Sequence, residues 1–437
     1  MPTFFKSLGC VLLWLLLATP ALQAKWHWLD EPDLSGVYEV APRAEFSLEG
    51  LRAGSYQPAL EHYVEDRLGF RGWLIRLRNQ LGYSVFNESW ANHIAVGRHK
   101  TLFPPEDLEA YVGAEYVGDQ QVQFDTRLAR AVQDSLARHG VQIVYVLAPG
   151  KTNLMPENMP WHYRRQHPAT SNYSAYAAAL AAAGVHTLDL DVVFRQWKNS
   201  TPYPLFAPGG MHWSTYGAAR AADTLQRYLR QTLHIDGTPF KVSAPEVSTT
   251  PRDTDDDLAK TLNVLSLAPS GELAYPKLEF LPTTTPPQAK PNVLLVADSF
   301  GWTLVNNQFM GGSFSPESRY WFYNSQLSWP GPELTPEGRD IFKIKADKNQ
   351  ILKRNLIIVM YYPRNWNGFD RNFSYEVFRM LSPLTPTESV QHKEIIAKLR
   401  GRASWAAAAK ANFEQHLSDT ARLIMDRERL LGPATRQ

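Results

Sequence analysis

The stretch VLLVADSFG, residues 293–301, decides the fold. Val293–Ala297 is a run of five apolar residues with no polar alternation, the pattern of a strand buried on both faces. Asp298 closes the run and Ser299 follows at once, where a helix begins. A strand handing over to a helix within two residues is the repeating unit of a mostly parallel α/β sheet. In such sheets sites gather at the carboxyl ends of the strands, and Ser299 stands at one.

A second stretch, GGMHWSTYGA at 209–218, puts His212 just ahead of another helix, with Ser214 or Thr215 as its cap. A serine and a histidine at loops beside strand ends are the minimum for nucleophilic acyl chemistry. The hydroxyl is a weak nucleophile until a base takes its proton, and an imidazole with an ordinary pKa of ~6.5 suits that task. The amides of Phe300 and Gly301 would then point from the helix start at a developing oxyanion. Taken singly, Ser299 also reads as a helix cap and His212 as a packed side chain; their pairing favours chemistry. Trp213 reads as packing beneath the histidine.

Outward from these segments the alternation continues. Arg127–His139 is an amphipathic helix, Val141–Leu147 an apolar strand, Asn172–Ala183 an alanine-rich helix, and Val185–Leu190 the next strand. Ser214–Leu233 is a long helix and Asn355–Tyr361 a further buried strand. The predicted core is therefore 121–382, interrupted by a Pro- and Thr-rich excursion at 236–291. Ahead of it, 25–120 holds a helical pattern over Gln57–Phe86 that breaks near Gly69, and a short strand pair over His93–Phe103. Asp66, Arg67 and Arg71 read as fixing the helix junction. Behind the core, 383–437 is helical, over Glu388–Leu399 and Ala403–Leu431. Strand ends deliver Lys151 and Asn153, Ser299, then Tyr362, Arg364 and Asn365 to one rim. Lys151, Tyr362, Arg364 and Trp302 are the candidate substrate-binding residues.

Composition narrows the function. A net charge of +2 with mixed signs offers no nucleic-acid footprint. No His or Cys spacing suggests a metal, no Gly-rich loop a phosphate, and no cofactor is expected. The acidic run Asp253–Asp257 opens like a calcium loop but has Leu258 at the turn and Val264 at the closing position, so it reads as a solvated loop. At the N-terminus, Lys6, the apolar run Leu8–Leu17 and the small residues Ala18–Ala24 read as a signal peptide over 1–24. An uncleaved anchor is the alternative. The lone Cys10 lies inside that segment, so the remaining chain has no disulfide, which suits the bacterial periplasm. The expected location is the periplasm, free or anchored in the inner membrane and facing it.

Four motifs in order resemble a known family: Leu147–Lys151 (strand-Pro-Gly-Lys), Val185–Leu190, Gly210–Gly217 around His-Trp, and Asp298–Phe300. They are similar to the alginate O-acetyltransferase group of SGNH-hydrolase-like proteins, in which the histidine motif precedes the serine motif. Asp66–Arg71 and Asp257–Val264 are similar to family positions outside the site. The resemblance implies a flavodoxin-like α/β/α sandwich and a Ser-His-Asp triad acting on acetyl esters of an exopolysaccharide. A transferase would need an acetyl donor delivered across the membrane, implying a membrane-bound O-acyltransferase partner. The family places an Asp two residues before the histidine; here that residue is Gly210. A carboxylate from elsewhere replaces it (Asp189 and Asp191 at a strand end, less readily Asp298), or the pair acts as a dyad, or the protein is an inactive polysaccharide-binding or assembly scaffold.

Overall fold

The computed structural model describes residues 2–36, 39–91, 93–166, 169–330, 345, 347–402 and 412–432. Six strands form the central sheet: β3 (Gln142–Leu147), β4 (Thr187–Asp189), β9 (Val293–Ala297), β10 (Arg319–Phe322), β11 (Gln326–Trp329) and β12 (Leu356–Tyr361), in the order β11-β10-β9-β12-β3-β4. All neighbours are parallel except the edge pair β10–β11. The four strands expected from the sequence are present: Val293–Ala297 keeps its bounds, those at Gln142–Leu147 and Leu356–Tyr361 begin one residue later than expected, and Thr187–Asp189 is shortened at both ends. The added edge pair has no clean alternation (RYWF, QLSW), which is why pattern reading passes over it.

Side chains alternate across the sheet and so build two cores. Val144, Val146, Leu295, Ala297, Ile358 and Met360 face one side. There they meet α7 (Leu190–Trp197), α8 (Thr215–Thr232) and α10 (Gly301–Asn306). Ile143, Tyr145, Leu294, Val296, Ile357 and Val359 face the other. They meet α5 (Asp119–Ala137), α6 (Asn172–Ala182) and α11 (Phe373–Leu381). The result is an α/β/α sandwich. Burying both faces of β9, β12 and β3 requires the continuous apolar runs seen in their sequences.

The flanks are helical. α1 (Pro2–Trp26), α2 (Tyr56–Glu65) and α3 (Arg71–Leu81) precede a hairpin of β1 (Ala95–Val96) and β2 (Leu102–Phe103), then α4 (Pro105–Val112). α12 (Pro386–Arg402) and α13 (Phe413–Leu431) close the chain; the part of the expected last helix at 403–411 lies outside the described residues. The excursion at 236–291 is not bare loop. It carries β5 (Phe240–Val242) paired with β8 (Leu278–Phe280), and β6 (Glu246–Ser248) paired with β7 (Leu273–Tyr275). Between them sits α9 (Asp257–Thr261).

Candidate active site

The fold brings Ser299 and His212 together. Ser299 Oγ lies 2.7 Å from His212 Nε2, and His212 Nδ1 lies 2.5 Å from Asp257 Oδ2. Each participant is placed by its backbone. Ser299 follows β9 by two residues; His212 is carried on the loop into α8, which Ser214 caps through the Gly217 amide. The histidine ring packs on Phe300, and Trp213 beneath it is fully buried, its indole N–H donating to Thr303 Oγ1. Asp257 opens α9, and its other oxygen accepts the Met211 and Leu258 amides at 2.6 and 2.7 Å. Serine, imidazole and carboxylate thus stand in the hydrogen-bonded order that lets an imidazole take a hydroxyl proton and a carboxylate hold the imidazole.

The carboxylate is neither of those expected. Asp189 caps α7 through the Val192 amide and accepts the Tyr173 hydroxyl. Asp191 is buried, accepting from the Gly150 amide, Asn153 Nδ2 and Arg195 Nε. Both are used up beneath the rim, and neither bonds to His212. Asp298 is also committed, to the Phe300 and Tyr362 amides and to Asn365 Nδ2. The acidic run expected to be a solvated loop instead delivers Asp257, while Asp255 within it is fully buried.

Gly210 explains the exchange. A Cβ there would meet the Thr254 carbonyl oxygen at 2.6 Å and that of Asp255 at 3.1 Å; a Cβ at Gly209 would meet Ala259. The loop carrying Asp257 occupies the space that a side chain at 210 would need. Gly210→Asp, which on sequence grounds would restore the family motif, is expected to lower activity at least about tenfold by pushing that loop off His212. A rate gain in an ester-hydrolysis assay would contradict this.

Other expected site residues are placed differently. The Phe300 amide donates to Asp298 Oδ1 and the Gly301 amide to the Asp298 carbonyl, so neither is free to hold an oxyanion. Among the described residues the Ser299 amide has no acceptor, which leaves it available for that task. Lys151 is 2 % exposed, and its ammonium donates to the carbonyls of Leu102, Ala207, Pro208 and Gly210. It ties the histidine loop to the β1–β2 hairpin and is out of a substrate's reach. Trp302 packs edge-on against Tyr320. Tyr362 stacks on Phe300 and gives its hydroxyl proton to Asp107 Oδ1 at 3.0 Å. Arg364 alone of this set is part-exposed and charged, beside Tyr362, Asp107 and Glu106.

Asp107 was not singled out by its sequence context. Burial pushes its pKa up to about 7, only partly offset by the Tyr362 hydroxyl and Arg364. Its folded-state value lies above the ~3.9 of an unfolded chain, so its contribution to stability is full below that value. That contribution is lost as pH rises from about 4 towards 7. Asp107→Asn keeps an acceptor for Tyr362 without the buried charge, so its Tm should exceed wild type at pH 8, with the gap shrinking at pH 5. An equal gap at both values would rule this out.

Residues 94–328 match the family described as "SGNH hydrolase-like domain, acetyltransferase AlgX". The chain belongs to this family. The matched span contains His212, Asp257 and Ser299. Among curated proteins it is 29% identical over 240 residues to the probable alginate O-acetylase AlgJ of Pseudomonas aeruginosa, covering 53% of each chain. It is 26% identical over 288 residues to that of Azotobacter vinelandii, covering 64% of this chain and 69% of the other. The chain spans about half the length of the Pseudomonas relatives it matches. The solved O-acetyltransferase domain of Pseudomonas putida AlgJ is 20% identical with a TM-score of 0.44, covering 68% of this chain and 97% of that one.

Two features of the sequence could have led to Asp257, although neither was read that way. One was the Gly209–Gly210 pair, which lets a second backbone approach closely. The other was the similarity of 257–264 to family positions, assigned to a place outside the site. Among the described residues no group of three or more His, Cys, Asp or Glu is arranged to hold a metal ion.

Proposed function

We propose that the protein is an exported acyl-transfer enzyme that moves acetyl groups to or from hydroxyls of an exopolysaccharide. Ser299 is its nucleophile, His212 its base and then acid, and Asp257 the group that holds the imidazole. The observation that carries the reading is the continuous relay from Ser299 Oγ through His212 to Asp257. In the first half-reaction Ser299 Oγ bonds to the acetyl carbonyl carbon as its proton passes to His212 Nε2. The carbonyl oxygen becomes an oxyanion against the Ser299 amide. Collapse breaks the bond to the donor's leaving group, which departs with the proton from His212. In the second half, a sugar hydroxyl gives its proton to His212 as its oxygen bonds to the acyl carbon; the bond from that carbon to Ser299 Oγ then breaks, and Ser299 takes the proton back from His212. With water in the sugar's place the outcome is hydrolysis.

The curated relatives are named as alginate O-acetylases, which supports a polysaccharide acceptor. Arg364, part-exposed on the rim, is the residue we assign to contact it. A membrane-bound acyltransferase is the proposed source of acetyl groups. Export rests on Phe5–Trp26, a helix long and apolar enough to cross a membrane by length and composition. The inactive-scaffold alternative drew its support from Gly210, and Asp257 removes that support.

Incubation with p-nitrophenyl acetate followed by peptide mass spectrometry tests the proposal. Acetyl on Ser299 is expected in wild type and none at this peptide in Ser299→Ala. Nitrophenol release no faster than from Ser299→Ala, with Ser299 unmodified, would sink it.

A further inference from the structure

We infer that the α2–α3 elbow lies on the surface of a lipid bilayer, beside the point where α1 enters it. The carrying observation is a helix whose amphipathicity is turned inside out. On α3 the buried residues are Gly72 and Asn79, whereas Trp73, Leu74, Leu77 and Leu81 are 42–59% exposed. With 3.6 residues per turn these four share one stripe, opposite Asn79. Val85 and Phe86, in the π-helical turn Gly82–Phe86 that continues α3, are 67% and 56% exposed. On α2, Leu60 and Val64, with Leu68 one turn further, form a second exposed row, and the helix buries none of its residues. A soluble helix turns such a stripe to its core; here it is turned away.

Continuity with α1 identifies the occupant. Gly69, at the bend between α2 and α3, is pressed on the end of α1: a Cβ there would meet the Pro20 carbonyl at 2.3 Å and the Ala24 amide at 2.6 Å. Gln23 on α1 is buried, and its side-chain amide donates to the Leu29 carbonyl. Glu31 accepts the Phe70 and Gly72 amides, stitching the chain after α1 to the start of α3. A membrane-length helix is thereby anchored directly in the elbow, and cleavage after Ala24 would cut through a packed helix. Trp26, the last residue of α1, stacks on Trp28 at 5.3 Å beside Lys25, the residue types of a membrane–water interface. Apolar stripes beside a spanning segment fit the interface of the bilayer it enters.

Residues opposite and beside that stripe reach the candidate site. Asn79 Nδ2 donates to the Leu262 carbonyl, Gln80 Oε1 accepts the Leu265 and Ser266 amides, and the Tyr83 hydroxyl accepts the Ala268 amide. These residues directly follow α9, which carries Asp257. The elbow therefore stands between the lipid and the loop of the triad's acid, holding the rim near a membrane from which acetyl groups could be supplied; only this last consequence rests on the proposed function.

Full-length protein in phosphatidylethanolamine–phosphatidylglycerol vesicles containing brominated lipid tests it. An environment-sensitive thiol dye is placed on native Cys10 or, in a Cys10→Ser background, on Leu77→Cys, Leu81→Cys or the distant exposed Arg230→Cys. Blue-shifted, lipid-quenched emission is expected at Cys10, 77 and 81, and unquenched emission at 230. Quenching at Cys10 with 77 and 81 resembling 230 would overturn the inference while leaving the anchor in place. No quenching at Cys10 would overturn both. A blue shift at 77 and 81 without lipid quenching would assign the stripe to a protein partner, also overturning it. The replaced side chains are exposed, so unchanged Tm values should accompany every variant; the same vesicles assayed for nitrophenol release separate failure here from failure of the catalytic proposal.

Discussion

Asp257→Asn should lower kcat for ester hydrolysis about 10⁴-fold, roughly 5 kcal/mol of transition-state stabilisation, with the fold intact. The local hydrogen bonds dictate the mechanism of the loss. Oδ1 receives two backbone amides, from Met211 and Leu258, so an asparagine must place its carbonyl oxygen there. Its NH₂ then faces His212 Nδ1, where the carboxylate had been at 2.5 Å. A donor at that position forces the ring proton onto Nε2, the nitrogen facing Ser299 Oγ, and an imidazole protonated there is no base. The negative charge that would stabilise the imidazolium is gone as well. Measuring kcat against Ser299→Ala as the floor decides the matter: a fall of less than about tenfold would mean that Asp257 is only a helix-capping residue.

The central sheet and the Ser299–His212 pair were legible because each depends on local pattern. Val293–Ala297 and Leu356–Tyr361 are apolar on both faces, which only a sandwiched strand requires. Ser299 and His212 each sit where a loop gives way to a helix. Asp257 was not legible in the same way, since nothing local marks which of five neighbouring residues, four of them aspartates, turns inward. Asp255 is buried and Asp257 bonds the imidazole for a reason lodged far back along the chain, at Gly210. Lys151 was misread for a related cause. A lysine at a strand end looks available to substrate, and only the packing of the β1–β2 hairpin against the histidine loop encloses it. The inverted stripe on α3 was visible as a helical period, but periodicity does not say which face is covered.

Lys151→Met should cost about 10² in kcat while lowering stability by only roughly 2 kcal/mol. Two large effects oppose one another. Burial pushes the ammonium's pKa down to about 7, against the pull of Asp257 and Asp107. Set against its ordinary 10.5, that shift is a penalty of about 5 kcal/mol, which methionine escapes. In return, three charged N–H groups shared among four carbonyls at 2.7–2.9 Å are lost, and bonds of that kind contribute roughly 1.5–3 kcal/mol each. Backbone acceptors cannot be replaced by apolar groups as the far side of a buried ion pair can, so the loss outweighs the relief. Part of it is recovered because the Pro208 carbonyl still receives the Leu102 amide and the Ala207 carbonyl the Gly210 amide. Activity suffers more than stability because the carbonyls released belong to 207–210, the segment leading into His212. Denaturant unfolding beside kcat separates the two effects; a variant with wild-type kcat would show that the loop holds its register without the cation.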